Sequence, residues 1–145
     1  MKNLDRFLKA QEKHYKRAHA EIRKGKKKTH WMWFIFPQIK GLGYSETSKY
    51  YAIQSIQEAE DYLKHKTLAC RLLTLCHELM LLKTNNATEV FGAVDDKKLQ
   101  SSMTLFYSVS GLMIFKNVLD KYFDGELDRA TVEILNEEKN RQSKK

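Results

Sequence analysis

Two short stretches hold most of the side chains in this sequence that could do chemistry. HWMWFIFPQ, at residues 30–38, adds His30, Gln38 and two indole N–H groups to a run of apolar residues. DDKKLQSSMTLF, at residues 95–106, mixes acidic, basic and hydroxyl side chains with core-type residues. A core does not need these polar groups, because each one must find a partner when it is buried. An aromatic wall with a few polar groups is typical of a small-molecule site, so we expect the two stretches to enclose a pocket.

Four residues are candidates for catalysis. Lys98 and Ser102 are four residues apart and therefore share one face of a predicted helix. A desolvated lysine in that arrangement can activate a serine nucleophile. His30 and Asp96 could form an acid–base pair if the fold brings them within reach. No third orienting group, nucleophile elbow or phosphate-binding loop accompanies them, so the sequence leaves open whether the protein is an enzyme.

The remaining candidates would hold or attract a ligand. The ligand-binding candidates are Trp31, Trp33, Gln38, Ser45, Ser101 and Thr104. A basic run directly precedes the aromatic stretch and would draw an anion towards it; its residues are Arg23, Lys24, Lys26, Lys27 and Lys28. A positive rim beside an aromatic wall predicts a small anionic ligand that is nucleotide-like or sugar-phosphate-like. A hydrolase acting on such a ligand is the alternative.

Each of these features also has a structural explanation. The aromatic residues could simply bury a connection, Asp96 could cap a helix, and Ser102 could allow close helix packing. The lysines could complement a helix dipole, with Gly25 as the C-cap. A rival functional class is a nucleic-acid or protein interaction module that uses the basic run, although no nucleic-acid motif is present. Tryptophan rings buried in the core would remove the stacking platform from that hypothesis.

Length and composition limit the class of protein. The 145 residues carry a net charge of +8 and an apolar fraction of 42%, which suits one domain. No window has the length of a membrane span, and the first residues lack the apolar region of a signal peptide, so we expect a soluble, cytoplasmic protein. Cys70 and Cys76 are expected to be buried, and no metal site is predicted there, because no second pair of zinc-type ligands accompanies Cys76 and His77. No cofactor is predicted, and the oligomeric state stays open.

Periodicity predicts an all-α fold. We expect one domain over residues 1–136, formed by an irregular bundle of about seven helices with a long aromatic-rich loop after helix 1, and a basic polar tail over 137–145. In the first helix, Gln11 falls inside the apolar stripe and should either tie down a loop or face a cavity. The glycines of GLG, at 41–43, permit a positive φ or a close approach. Helix starts are predicted at Ser45, Ser55 and Asp128, and at Asp95 or Asp96.

Several motifs occur in a recognisable order. They are AQ at 10–11, HWMWFIFPQ at 30–38, GLG-x-S at 41–45, YAI at 51–53, EA-x-x-YL at 58–63, FG at 91–92 and KL-x-SSMTLF at 98–106. Together they resemble the bacterial domain-of-unknown-function family 1810 over about residues 3–135. The resemblance implies a fold but no activity. Some members are described as calpastatins, but such inhibitors are disordered and proline-rich, whereas this chain is apolar and has one proline.

Overall fold

The computed structural model describes residues 3–143, and within that range the fold is all-helical with nine helices. They are α1 (Asp5–Arg23), α2 (Met32–Ile35), α3 (Glu46–Tyr51), α4 (Ile56–Lys64), α5 (Lys66–Leu81), α6 (Ala87–Phe91), α7 (Asp95–Ser110), α8 (Met113–Phe123) and α9 (Arg129–Ser143). The all-α prediction is confirmed, but the predicted number of about seven helices is too low. The four-residue α2 lies inside the expected loop, and its wholly apolar sequence, MWFI, has no polar face that periodicity could detect.

Most of the predicted helix ends are present. After α1, Gly25 has a φ of +79°, and its N–H donates to the Ile22 carbonyl over 2.9 Å. The next N–H, of Lys26, donates to the Glu21 carbonyl over 3.0 Å, which completes a Schellman motif. Ser45 and Ser55 accept bonds from the backbone N–H groups three residues on, each over 3.1 Å. Local side-chain chemistry therefore decides where these helices begin and end.

The predicted cap of α7 is wrong. The helix begins at Asp95, and the residue before it, Val94, provides no side-chain cap. Asp95 and Asp96 both lie in the first turn, where a negative charge suits the positive end of the helix dipole. Asp96 accepts instead from the Lys97 backbone N–H over 2.7 Å and from the Thr88 hydroxyl over 2.5 Å. Its carboxylate thereby joins α7 to α6.

α7 occupies the centre of the fold. It packs against α4, α6, α8 and α9, while α5 packs against α1, α4 and α8. Leu99, Met103 and Phe106 of α7 are fully buried. None of the helices in residues 3–143 combines the length and the apolar character needed to cross a membrane.

The two cysteines differ in environment. Cys76 is buried, and burial raises the pKa of its thiol far above the usual value, so it does not form a reactive thiolate. Cys70 is exposed, which contradicts the expectation that both would be buried. The six-residue spacing turns Cys70 about 120° away from Cys76 around α5, and only one of the two therefore reaches the core.

Candidate functional site

Gln11 fixes the aromatic stretch to α1. Its side-chain N–H groups donate to the Phe34 carbonyl over 2.8 Å and to the Tyr62 hydroxyl over 3.1 Å. The guanidinium of Arg71 donates to its amide oxygen over 3.3 Å. Of the two roles predicted for this buried amide, the structure therefore shows the first, which is to tie down a loop.

Glu21 holds the other end of the same stretch. Its carboxylate accepts four hydrogen bonds: from the Lys28 N–H over 2.7 Å, from the Thr29 N–H over 3.0 Å, from the Thr29 hydroxyl over 2.7 Å and from the Trp31 indole over 2.9 Å. Burial alone would raise the pKa of Glu21, but these bonds outweigh it and lower the pKa to about 2. The carboxylate is therefore charged at neutral pH and organises the chain from Lys28 to Trp31.

Trp31 and Lys27 have structural roles. Trp31 is fully buried and packs edge-on against Phe91. The side chain of Lys27 is only 7% exposed, and its Nζ lies 3.0 Å from Asp95 Oδ2 and 5.0 Å from the centre of the Trp31 ring. The ammonium also donates to the Thr29 carbonyl over 2.6 Å. One of the five residues expected to form an exposed basic patch is therefore inside the protein, where it joins the basic run to α7.

The two predicted stretches meet at Lys98 and Trp33. The Lys98 ammonium lies 5.2 Å from the centre of the Trp33 ring and 3.4 Å from Asp95 Oδ1. The ring of His30 lies 6.5 Å from that of Trp33. The Trp33 ring and the Asp95 carboxylate thus hold the Lys98 ammonium in one position.

A cleft of about 430 Å³ opens beside this contact. One wall comes from the segment between α2 and α3 together with α3, a second comes from the start of α7, and Asp128 and Ala130 at the start of α9 complete the lining. The polar and small residues that line it include Gln38, Gly43, Ser48, Lys97, Lys98 and Ser101. The Gln38 side-chain amide and the Lys97 ammonium have no hydrogen-bond or ion-pair partner among residues 3–143. We refer to this feature as the Gln38–Lys98 cleft.

The GLG motif contributes Leu42 and Gly43 to one wall of the Gln38–Lys98 cleft. Gly41 has a φ of +109°, which an L side chain rarely adopts. A Cβ atom on Gly43 would lie 2.5 Å from the Ser48 Cβ, so the loop and α3 can touch only through a glycine. The motif therefore provides both the positive φ, at Gly41, and the close approach, at Gly43, that its glycines permit. Gly43 and Ser48 were not among the predicted site residues, although the motif itself pointed to this place.

The predicted catalytic pairs are not assembled. Asp96 is bonded to Thr88 and lines a different cleft, of about 660 Å³, on the α6 side of α7. Ser102 is fully buried, and its hydroxyl has no hydrogen-bond partner in the described part of the chain. Lys98 points towards Trp33 and Asp95 instead of Ser102. His30 is exposed against Trp33 and makes no hydrogen bond or ion pair with Asp96.

Three predicted ligand-binding hydroxyls are used within the fold. Ser45 caps α3, and Ser101 donates to the Lys97 carbonyl over 3.1 Å, although Ser101 also lines the Gln38–Lys98 cleft. Thr104 is buried, donates to the Gln100 carbonyl over 2.7 Å and accepts from the Asp128 N–H over 2.9 Å. Of the predicted residues, the cleft therefore gathers Gln38, Lys98 and Ser101, with Trp33 beneath Lys98.

A further cleft of about 1010 Å³ lies beside Arg6 and Glu58, but its central groups are saturated. The Arg6 guanidinium donates to both oxygens of Glu58, over 2.8 and 3.2 Å, and to the carbonyls of Asn3, Tyr50 and Ala52. The backbone N–H of Gln54 also donates to Glu58, over 3.0 Å. With every guanidinium N–H used, Arg6 ties α1 to α4 through Glu58 and to the segment before α4 through the carbonyls, and it has no donor left for a ligand.

Residues 3–143 contain no group of three or more His, Cys, Asp or Glu side chains placed to hold a metal ion. The geometry of the Gln38–Lys98 cleft, with two lysines and one unpaired amide, instead suits an organic anion. Lysine is a point-charge binder of phosphate, whereas an amide can donate and accept and so fix the orientation of a polar ligand.

Comparisons with known proteins find relatives without a described activity. The profile of the family described as "Protein of unknown function (DUF1810)" matches residues 1–135. The conserved hypothetical protein Rv1873 from Mycobacterium tuberculosis, known from a crystal structure, is 42% identical; the match covers 92% of this chain and 96% of that one, with a TM-score of 0.90. No curated protein matches. Since the profile covers almost the whole chain, the protein belongs to the DUF1810 family.

Proposed function

We propose that the protein binds a small organic anion, of nucleotide or sugar-phosphate type, in the Gln38–Lys98 cleft. The observation that carries this proposal is the meeting of the two predicted stretches at one cleft, where Gln38 and Lys97 are unpaired and Lys98 is held over Trp33. A volume of about 430 Å³ falls within the range typical of small-molecule sites.

The balance of charge in the cleft favours an anion. Lys97 and Lys98 both line it, and the acidic residue on its wall is Asp128. Asp128 keeps its negative charge, although its Oδ2 atom accepts from the Thr131 N–H over 3.1 Å and from the Thr131 hydroxyl over 2.6 Å. Asp95 is shared between Lys27 and Lys98 and so does not neutralise Lys97. Two lysines and one aspartate leave the lining with a net charge of +1, which favours an anionic ligand.

The contacts support binding more than hydrolysis. The buried Ser102 hydroxyl is not bonded to Lys98, and Asp96 is bonded to Thr88 instead of His30. Neither arrangement supplies an activated nucleophile or a positioned general base. We therefore limit the proposal to recognition, with Lys97 and Lys98 attracting the anion and Gln38 orienting its uncharged part.

The test is a thermal-shift assay of the purified chain against nucleoside phosphates, sugar phosphates and inorganic phosphate. A ligand at 100 times its Kd should raise the free energy of unfolding by about 2.7 kcal/mol. Gln38→Ala and Lys98→Met should each abolish the shift, because the first removes the orienting amide and the second keeps the packing on Trp33 without the charge. Lys64→Met, on the exposed end of α4, is the matched control and should retain the shift.

Two results would overturn the proposal. One is the absence of any shift in the unaltered protein across the whole panel. The other is a shift that persists in both cleft variants, since it would place the bound compound elsewhere on the molecule.

A further inference from the structure

The exposed side of α1 carries a continuous row of positive charge. The row consists of exposed cations at intervals of four, three, one and seven residues, the last of them at the C-cap of the helix: Lys9, Lys13, Lys16, Arg17 and Lys24. Spacings of three, four, seven and eight keep side chains on one face of a helix. With a rise of 1.5 Å per residue, the row extends over about 22 Å. We call it the α1 basic stripe.

The charge of the stripe is largely uncompensated. Its five cations make no ion pair within residues 3–143, whereas the neighbouring Arg23 lies 3.4 Å from Glu78. Two acids occur between Lys9 and Lys24, and one of them, Glu21, is buried and bonded to the aromatic stretch. Exposed Lys26 and Lys28 continue the positive charge beyond the end of the helix. The stripe therefore matches a partner with closely and regularly spaced negative charges.

We propose that the α1 basic stripe binds the phosphate backbone of double-stranded nucleic acid without reading its sequence. This inference goes beyond the proposed function, because it involves a different face of the protein and a different ligand. Four of the five cations are lysines, which act as point charges and do not provide the bidentate fork that arginine uses to recognise guanine. Contacts of that kind position a protein on a duplex but carry no sequence information.

The apolar residues of this region argue against two other polyanions. Binding of single strands relies on a series of exposed aromatic rings on which successive bases stack. Trp31 is buried, the half-buried ring of Tyr15 is covered by the Arg71 guanidinium at 5.2 Å, and Tyr50, which is 48% exposed beside Lys9, packs edge-on against Tyr51. Insertion into an anionic membrane needs an exposed apolar face. The apolar face of α1 is packed in the core through Phe7, Ala18 and Ile22, and no exposed large apolar residue lies on this helix.

The test uses fluorescence anisotropy with the full chain and four probes. These are a mixed-sequence DNA duplex, the corresponding RNA duplex, one of the DNA strands alone, and vesicles containing phosphatidylserine. The stripe variant is Lys13→Gln/Lys16→Gln/Lys24→Gln, and the matched control is Lys64→Gln/Lys83→Gln/Lys139→Gln. Both lower the net charge by the same three units, all six lysines are exposed, and glutamine is a good helix former.

We expect a duplex to bind more tightly than the single strand or the vesicles. The stripe variant should lose at least about tenfold in duplex affinity at about 0.1 M salt, and its salt slope should fall by about 2.7 if three phosphate contacts are lost. The control should bind as the unaltered protein does, and the two duplex probes show whether DNA or RNA is preferred. Equal losses in the stripe variant and the control, or preferred binding to the single strand or the vesicles, would overturn the proposal.

Discussion

The indole Nε1 of Trp31 donates to Glu21 Oε1 over 2.9 Å, and this bond joins the last turn of α1 to the first buried residue of the aromatic stretch. The same carboxylate accepts two backbone N–H groups and the Thr29 hydroxyl. A carboxylate that accepts several hydrogen bonds in its charged form is held in that form. Glu21 thereby fixes the direction in which the chain leaves α1 and places Trp33 near Lys98.

Stability should therefore fall in acid because of Glu21. Its pKa is lowered from 4.5 to about 2 in the folded protein, so its contribution is fully present above pH 4.5 and is lost as the pH falls towards 2. The shift corresponds to about 3 kcal/mol in the free energy of unfolding. Urea unfolding between pH 7 and pH 2, compared with Glu21→Gln, measures this contribution. The variant should be less stable at pH 7 and should show a smaller loss on acidification; an equal loss in both proteins would contradict the assignment.

Arg6 should be the most sensitive charged residue of the fold. Arg6→Ala leaves Glu58 without its cationic partner and removes the Arg6 donor from three carbonyl groups, and breaking a buried pair in this way costs about 3 to 5 kcal/mol. Arg6→Lys should recover only part of that loss, because an ammonium cannot reproduce the five directed bonds. Chemical denaturation measures both variants. If Arg6→Ala lowered the free energy of unfolding by less than about 1 kcal/mol, the Arg6–Glu58 pair would contribute no more than an ordinary surface ion pair, which would contradict the prediction.

The sequence predicts those parts of the fold that depend on near neighbours. Gly25 ends α1, Ser45 begins α3, and Ser55 begins α4, because each acts on groups within a few residues of itself. The structural role of Gln11 is predictable for the same reason, since a polar residue inside an apolar stripe is visible from spacing alone. Its partner, the Phe34 carbonyl, is 23 residues away and could not be named.

The features that the sequence does not predict depend on interactions between segments that are far apart in the chain. Arg6 and Glu58 are 52 residues apart and look like ordinary charged residues on two amphipathic helices. Lys27 belongs to a basic run, and only the fold shows that Asp95 and Trp31 enclose it. The same limit applies to the candidate site. The two motifs correctly place Gln38 and Lys98 at one cleft, but tertiary packing, which the sequence does not show, decides where the side chains of Ser102 and Asp96 point.

Gly43 should not tolerate a side chain while Ser48 has one. In Gly43→Ala the new Cβ would lie 2.5 Å from the Ser48 Cβ, and overpacking of this kind costs about 1 to 3 kcal/mol. Ser48→Gly alone should cost about 1 kcal/mol, as glycine does in a helix. The double variant should lose less than the sum of the two single losses, because the second change removes the clash. Strictly additive losses in urea unfolding would show that the loop moves away from α3 instead.

Ser102 and Thr104 should respond in opposite ways to the loss of their hydroxyls. Ser102 is fully buried and unpaired within residues 3–143, so Ser102→Ala should leave the free energy of unfolding unchanged or raise it by up to about 1 kcal/mol. Thr104→Val keeps the shape but removes the acceptor of the Asp128 N–H, and it should cost about 1 to 2 kcal/mol. Urea unfolding of both variants at pH 7 makes the comparison. A loss from Ser102→Ala as large as that from Thr104→Val would mean that the Ser102 hydroxyl has a partner, and its role at the centre of α7 would then have to be reconsidered.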